Sequence, residues 1–430
     1  MQHNARGRTA LDERPLVAII GTGGRAYREY LLDSISSRYR IHLIEDAEPT
    51  WESRYLAGSS IVDMSETVDA DEMIAAVRRV ADSEPVQGVL AWDEARVLQC
   101  AKVAAALHLP GGDPQVAMRC RDKYLTREAL QIAQVPQPQS ILATGLDEAR
   151  AAADKIGYPV VLKPRAMAAS LGVVLVASPD ELADALVFAR DTTIPGAWHY
   201  EEVLVEEYAP GPEISVDSAV HAGEVFPMFI ARKHVGFAPY FEETGHVVDS
   251  ADPLLTDPMI ARVIADIHAA LGFTDGMTHT ELKLGPDGPK VIEINARLGG
   301  GLIPYLGMRA TGIDPGLAAA AVACGQRPDL VSSRRLIAAV RFFYVAHDDT
   351  RIESIELSDE QLPDAVDLLV ALAKAGDVMS PPPKGTAFGR IGFATAVAES
   401  AEQCEQALDA AQRALVVSPD GACPPGTGLQ

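Results

Sequence analysis

Short apolar runs alternate with longer amphipathic stretches through roughly the first 115 residues. PLVAII, the glycine turn GTGG and RAYREYLLDSI predict strand, turn and helix in that order. RIHLIED predicts a second strand, MIAAVRRVADS a helix, and VQGVLAWDEA a strand that ends in acids. RVLQCAKVAAALHLPG predicts a helix closed by Pro-Gly. Alternation of this kind implies a parallel sheet over residues 1–118. The Pro-rich AQVPQPQS then reads as a connection. LDEARAAADKIG predicts a helix, YPVVLKP and LGVVLV strands, and ELADALVFARD another helix. YEEVLVEEYAPGPEISVDSAV predicts two strands around a Pro-Gly turn. Residues 255–272 predict a helix, 277–295 a hairpin and 312–325 a helix. From about 335, LIAAVRFFYVA predicts a strand, followed by mixed elements and a Gly/Pro-rich tail, PDGACPPGTG, expected to fray. No internal repeat is visible. The expected class is α/β, divided at 1–118, 119–200, 201–330 and 331–430.

A chain of 430 residues exceeds one ordinary core, and the composition is globular, with 48% hydrophobic and 23% charged residues. The net charge of −23 argues against nucleic-acid or anionic-membrane partners, since both need a basic face. Cys100, Cys120, Cys324, Cys404 and Cys423 are odd in number and widely spaced, which suits free thiols in a reducing cytoplasm. Residues 1–14 are polar and read as no signal peptide, and LAAAAVAC is far too short to span a bilayer.

VIEINARLGGG, residues 291–301, carries the densest chemistry. Glu293, Asn295 and Arg297 stand at every second position, so they share one strand face, with Ile292 and Ile294 on the other. THTELKL and KVIEINAR flank GPDGP, a hairpin pattern that places His279, Glu281 and Lys283 on one face of the first strand. One plausible register sets Glu281 beside Glu293. Opposed like charges are destabilising unless compensated, and a divalent cation with oxygen ligands would compensate them. A solvated sheet face is the plainer reading. Against it stands the run Gly299–Gly301 after Arg297, which suits an anion pocket through exposed backbone N–H groups.

VVLKPRAMAASLGVVLV ends a buried strand at Lys163 and continues into a loop of small residues with Ser170 and Gly172. Such a loop lets backbone amides approach phosphate oxygens, although no Walker motif is present. CRDKYLTREAL offers a second lysine, Lys123, near a helix start. VLVEEYAPGPEIS sets Glu206 and Glu207 before a Pro-Gly turn and Glu213 after it. A strand end of this kind can read an adenine edge, with a later carboxylate on ribose.

In this order the segments resemble the ATP-grasp superfamily. LKPRAMAASLGV looks like its phosphate loop, VEEYAPGPEIS like its adenine and ribose hinge, and ELKLGPDGPKVIEINARLGGG like its metal-binding hairpin. The likeness covers roughly 119–310. The first 115 or so residues resemble the Rossmann-like domain that precedes it, and the region after 330 fits an additional C-terminal α+β domain more loosely. VLAWDEA, CRDKYLTREAL, APYFEETGH, MTHTELKL and NARLGGGLIPYL resemble the carboxylate–amine ligases that join amino acids, such as the L-amino-acid ligases and carnosine synthase-like enzymes.

The resemblance implies ATP as co-substrate, with two Mg²⁺ ions, or Mn²⁺ in their place. It implies Lys123 and Lys163 on the phosphates, together with Ser170 and Gly172 of the loop. Glu206 and the backbone of Glu207, Tyr208 and Ala209 would hold adenine, and Glu213 the ribose. Glu281, Glu293 and Asn295 would bind metal. Arg297 would clamp the substrate carboxylate and later the acyl phosphate, with Gly300 and Gly301 letting substrate reach the backbone. His246 would lie near the amino-acid site and Lys233 would reach the γ-phosphate. His279 departs from the D-alanine–D-alanine ligase pattern, which has Arg there, so phosphate stabilisation would be shared differently. The small-residue loop at 166–172 would close as a lid. The expected partners are a small acid and an amine, with a homodimer as the family habit. The rival readings are another ATP-grasp chemistry, of the purine-biosynthesis or biotin carboxylase kind, a dinucleotide oxidoreductase suggested by GTGGR, and a non-catalytic nucleotide binder.

Overall fold

The structure is a computed structural model and describes residues 12–419, apart from 66–68, 194–197, 199, 359 and 360. Residues 1–11, and the predicted tail beyond 419 with Cys423, lie outside the described residues.

The first region is the expected parallel sheet, with strands ordered Gly58–Ile61, Arg40–Glu45, Leu16–Ile20, Val86–Leu90. Leu16–Ile20 is buried throughout, as a run of five apolar residues covered on both faces must be. Helix Asp71–Ala81 carries acids in its first turn and arginines in its last, which complements its dipole.

The second sheet has four strands, ordered Ser140–Ala143, Val203–Glu207, Val160–Pro164, Val174–Val176. Helices Leu146–Ile156 and Leu182–Asp191 cover it through Ala149, Ala153, Leu182 and Leu186. The expected division at 200/201 is corrected here. Val203–Glu207 pairs with strands of the preceding region, whereas Glu213–His221 pairs with the hairpin strand Gly276–Gly285 and with Glu224–Gly236. The two strands around Pro-Gly therefore belong to different sheets, and residues 208–212 bridge them. Gly211 has φ +107°, and a Cβ there would run into the Leu284 carbonyl of the hairpin.

The third sheet is antiparallel and eight-stranded, ordered Gly288–Asn295, Gly276–Gly285, Glu213–His221, Glu224–Gly236, Glu242–Asp249, Ile337–Tyr344, Arg390–Ala398, Val366–Ala371. Its last three strands come from beyond residue 330, so the C-terminal region extends the central sheet rather than standing apart from it. Helix Pro258–Leu271 backs the sheet; Asp257 caps it, Pro258 opens it, and Gly272 at φ +74° closes it. One apolar core joins Leu31 and Leu32 of the first region, Phe229 and Leu306 of the centre, and Phe342 and Phe393 of the C-terminal strands. No helix among the described residues is long and apolar enough to cross a membrane. Cys100, Cys120, Cys324 and Cys404 are unpaired thiols.

Candidate active site

The hairpin has the register that the alternation suggested, with Glu281 opposite Glu293 and His279 opposite Asn295. Each carboxylate has an ammonium beside it. Lys123 Nζ lies 3.0 Å from Glu293 Oε1, and Lys233 Nζ lies 2.6 Å from Glu281 Oε1. Both carboxylates and Asn295 line a cavity of about 220 Å³ between the small sheet and the large one.

Lys163 and Glu206 form the neighbouring wall, 2.5 Å apart. Arg127 adds a fork to the same carboxylate, with Nε 2.7 Å from Oε1 and Nη2 3.1 Å from Oε2. Burial disfavours the Glu206 charge, but Arg127 and Lys163 outweigh it and hold the pKa at about 2. Burial pushes the Lys163 pKa down, and Arg127 and Lys123 counter the help it gets from Glu206. The carboxylate is thus over-compensated and the ammonium under-compensated. Three cations, Lys123, Arg127 and Lys163, meet two carboxylates, Glu206 and Glu293, and the surplus suits an anionic ligand.

The segment 121–123 pins the small-residue loop. Arg165 forms a bidentate pair with Asp122, while Lys123 Nζ and Arg121 donate to the carbonyls of Met167 and Ala166. Ala169 and Ser170 both sit at φ +56°, a conformation that costs non-glycine residues energy and is held by its surroundings. Ser170 lines the cavity. Gly172 does not; its place is against the Pro164 ring. Glu207, Tyr208, Ala209 and Glu213 line the cavity. Glu207 receives Lys290 at 2.6 Å, and the Glu206 carboxylate is committed to Arg127 and Lys163.

Arg297, Gly300 and Gly301 also line the cavity. Arg297 Nε lies 2.5 Å from Glu94 Oε2, a residue of the first region, and Arg121 approaches the same carboxylate at 3.8 Å. Burial opposes the Arg297 charge, but Glu94 reverses this and raises its pKa. The Asn295 amide is satisfied with its nitrogen toward Glu293 Oε1 at 3.3 Å and Glu94 Oε2 at 3.1 Å. His279 Nδ1 lies 2.5 Å from Asp217 Oδ1, and its Nε2 3.3 Å from Glu281 Oε1. Burial would lower its pKa, yet Asp217 and Glu281 bring it up to about 9, so it is an imidazolium at neutral pH.

Two expected residues lie behind the wall rather than in it. Lys233 is tied to Glu213 at 2.8 Å, Glu243 at 2.7 Å and Glu281 at 2.6 Å. Burial disfavours its charge, but those three acids push its pKa well up, and it serves as their counter-ion rather than reaching into the cavity. His246 is fully buried, with Nε2 3.3 Å from Glu243 Oε2. It lies behind Gly301, where a Cβ would come within 2.5 Å of His246 Nε2.

Sequence reasoning missed Arg127, Asp217, Glu94 and Arg390. Arg127 follows Lys123 by four residues on one helix, a spacing that shares a face and would have found it. Asp217 joins His279 to the glycine run by accepting from Gly299 N at 2.9 Å. It sits in a buried strand, EISVDSAVH, and has no local signal.

Residues 156–304, which include the hairpin and much of the cavity wall, match the ATP-grasp domain family. Over that domain the chain has an ATP-grasp fold, and it resembles the carboxylate–amine ligase group of that superfamily. The L-amino acid ligase of Bacillus licheniformis shares the fold with a TM-score of 0.78 and 23% identity, over 95% of this chain and 99% of that one. Alanine–anticapsin ligase of Bacillus subtilis is 28% identical over 257 residues, 55% of this chain and 54% of that enzyme. Carnosine synthase 1 of Gallus gallus is 28% identical over 353 residues, 76% of this chain and 37% of that protein. The match therefore spans about half the length of the bacterial relative and less of the avian one.

ATP-grasp enzymes use ATP with Mg²⁺. The donor set here fits such a cation: two opposed carboxylates, both oxygen donors, with the Asn295 amide beside them. Among the described residues no group of three or more His, Cys, Asp or Glu is placed to hold a metal ion by itself.

Proposed function

We propose that this chain joins the carboxylate of an amino acid, or a similar acid, to an amine, with another amino acid as the preferred amine. ATP would drive the reaction through an acyl phosphate. The observation that carries this reading is the order of charges in one cavity: an under-compensated lysine, paired carboxylates, then a buried arginine beside exposed glycine backbone.

In the first step a carboxylate oxygen of the acid attacks the γ-phosphorus. The bond to the β,γ-bridging oxygen breaks, and ADP leaves with that electron pair. In the second step the amine attacks the acyl carbon, phosphate leaves with the C–O electrons, and the nitrogen gives up a proton. Lys163 and Lys123 would hold the phosphates, and Glu207 to Ala209 would border adenine. Glu206 would set Lys163 rather than touch the base. Glu213 would face the ribose. Glu281, Glu293 and Asn295 would hold Mg²⁺, two ions in this reading, which neutralise phosphate charge when bound. Arg297 would clamp the acid through two parallel N–H bonds, a geometry Lys cannot offer. His279, kept charged by Asp217, would add positive potential beside the metal acids. Catalysis would come from positioning and fixed charge, which dominate in phosphoryl transfer.

The test is phosphate release from Mg-ATP with pooled amino acids, with products read by mass spectrometry. A new mass equal to two amino acids less water, with ADP and phosphate, supports the reading. Nucleotide turnover only with bicarbonate, or only with a purine precursor, would replace it with another ATP-grasp chemistry.

A further inference from the structure

The C-terminal strands contribute a cation to this cavity. Arg390 opens the strand Arg390–Ala398 and lines the cavity, although its side chain is only 8% exposed. Its Nε donates to Tyr344 OH at 3.0 Å. Its Nη2 donates to Glu242 Oε1 and to the Glu243 carbonyl, each at 3.1 Å. The guanidinium carbon lies 3.7 Å from the centre of the Phe342 ring. Tyr27 of the first region also interacts with the guanidinium. This is a pre-set fork held by neutral hydroxyls, one carbonyl and a single carboxylate.

Its location is the Arg297 end of the cavity. Arg390 holds the Glu243 carbonyl, and the Glu243 carboxylate faces Gly301 in the glycine run that follows Arg297. The other wall cations are committed elsewhere in the proposed reaction: Lys123 and Lys163 to phosphate, Arg297 to the reacting acid, and His279 to Asp217 and Glu281. Lys283 lies further along the hairpin, paired with Glu213 at 3.1 Å. Glu242, the partner of Arg390, is only a partial match for it. The same oxygen also accepts from Tyr344 OH, and burial raises the pKa of its carboxyl, which lessens its negative charge.

An amino acid that acts as the amine brings a second carboxylate into a site already crowded with phosphate charge. That carboxylate needs its own cation, held away from the acyl carbon. We propose that Arg390 binds the carboxylate of the amine substrate and so selects amino acids over simple amines. The assignment rests on the ligase reading above. It also gives the C-terminal region a part in specificity, as the source of the group that recognises the second substrate.

The test uses the full chain as wild type, Arg390→Met and Arg390→Lys, with the acid and ATP saturating. Three kinds of nucleophile are compared in each preparation: common L-amino acids, their carboxamides, and hydroxylamine. Hydroxylamine attacks the acyl phosphate to give a hydroxamate and phosphate, and has no carboxylate to recognise. Arg390→Met is expected to lower kcat/KM for amino acids about 100-fold, as loss of a charge-assisted bond would. Carboxamides and hydroxylamine should change less than about threefold, and Arg390→Lys should recover part of the loss. Because the comparison is made within one preparation, a partly misfolded sample leaves the ratios unchanged. Equal losses with all three nucleophiles would overturn the assignment and make Arg390 a structural brace. An unchanged preference for amino acids would overturn it as well. A wild-type enzyme that forms no hydroxamate from any acid would overturn the ligase reading, and this assignment with it.

Discussion

Arg297 and Glu94 lie 203 residues apart in the chain and 2.5 Å apart in space. Their pairing keeps a buried guanidinium charged and aimed before any substrate arrives. An incoming carboxylate would find that arginine already desolvated and oriented, which is the advantage that pre-organisation supplies. Arg297→Ala should therefore lower turnover by about 10²–10³-fold, the usual effect of losing one such donor, and leave Mg-ATP affinity nearly unchanged by calorimetry. A large loss of nucleotide affinity would mean that the arginine serves ATP instead. Glu206 makes a different prediction, about stability. Its folded pKa is about 2 against an ordinary 4.5, so the unfolded chain binds more protons between those values. The contribution of Glu206 is complete above about pH 4.5 and is lost as pH falls toward 2. It is on the order of 3 kcal/mol. Glu206→Gln should lower the melting temperature at pH 7, and its curve should fall less steeply than the wild type's from pH 5 to 3. Parallel curves would show that Glu206 contributes nothing to the acid sensitivity. The grouping of Glu281, Glu293 and Arg297 was legible because a strand repeats every two residues and puts alternate side chains on one face. Glu94 and Asp217 were not, because nothing local marks a carboxylate whose partner arrives from another sheet.

The elements divide along the same line between local and non-local. The hairpin 276–295 was readable from its alternation and turn residues, register included. The stretch 203–221 was readable as two strands and a turn. That its strands enter different sheets was not, since pairing partners 40 to 80 residues away leave no trace in a local pattern. The Pro-Gly turn is thus a bridge between the two walls of the cavity, and Gly211 is its tightest point. Gly211→Ala would need φ near +107° and would collide with the Leu284 carbonyl. It should cost about 1–3 kcal/mol, and the bridge should shift away from the hairpin. Denaturant unfolding and Mg-ATP affinity should fall together in this variant. A variant of normal stability would show that the bridge bends without cost.

At the scale of the whole molecule, the order of motifs pointed to a three-part ATP-grasp architecture, and the parts themselves proved less separable than that order suggests. Strand Ile337–Tyr344 pairs with Glu242–Asp249, so the central sheet continues without a break past residue 330. Phe342 and Phe393 lie in the same core as Leu31 and Phe229. Arg390 reaches back to Glu242 and Tyr344 at the cavity wall. A chain cut after residue 330 would expose the edge of Glu242–Asp249 as an unpaired template and open this core, both routes to aggregation. The strand LIAAVRFFYVA was visible in the sequence, but an apolar strand fits any sheet edge, and only the folded chain chooses one. Sheet continuity and a shared core predict that the central and C-terminal regions unfold together. Scanning calorimetry of the full chain should show no separate transition for residues 331–419, and the truncated chain should lack a cooperative transition of its own. An independent second transition would mean that the continuous sheet carries little coupling. Arg390 would then sit on a region able to open away from the cavity, and the amine site would form only on closure.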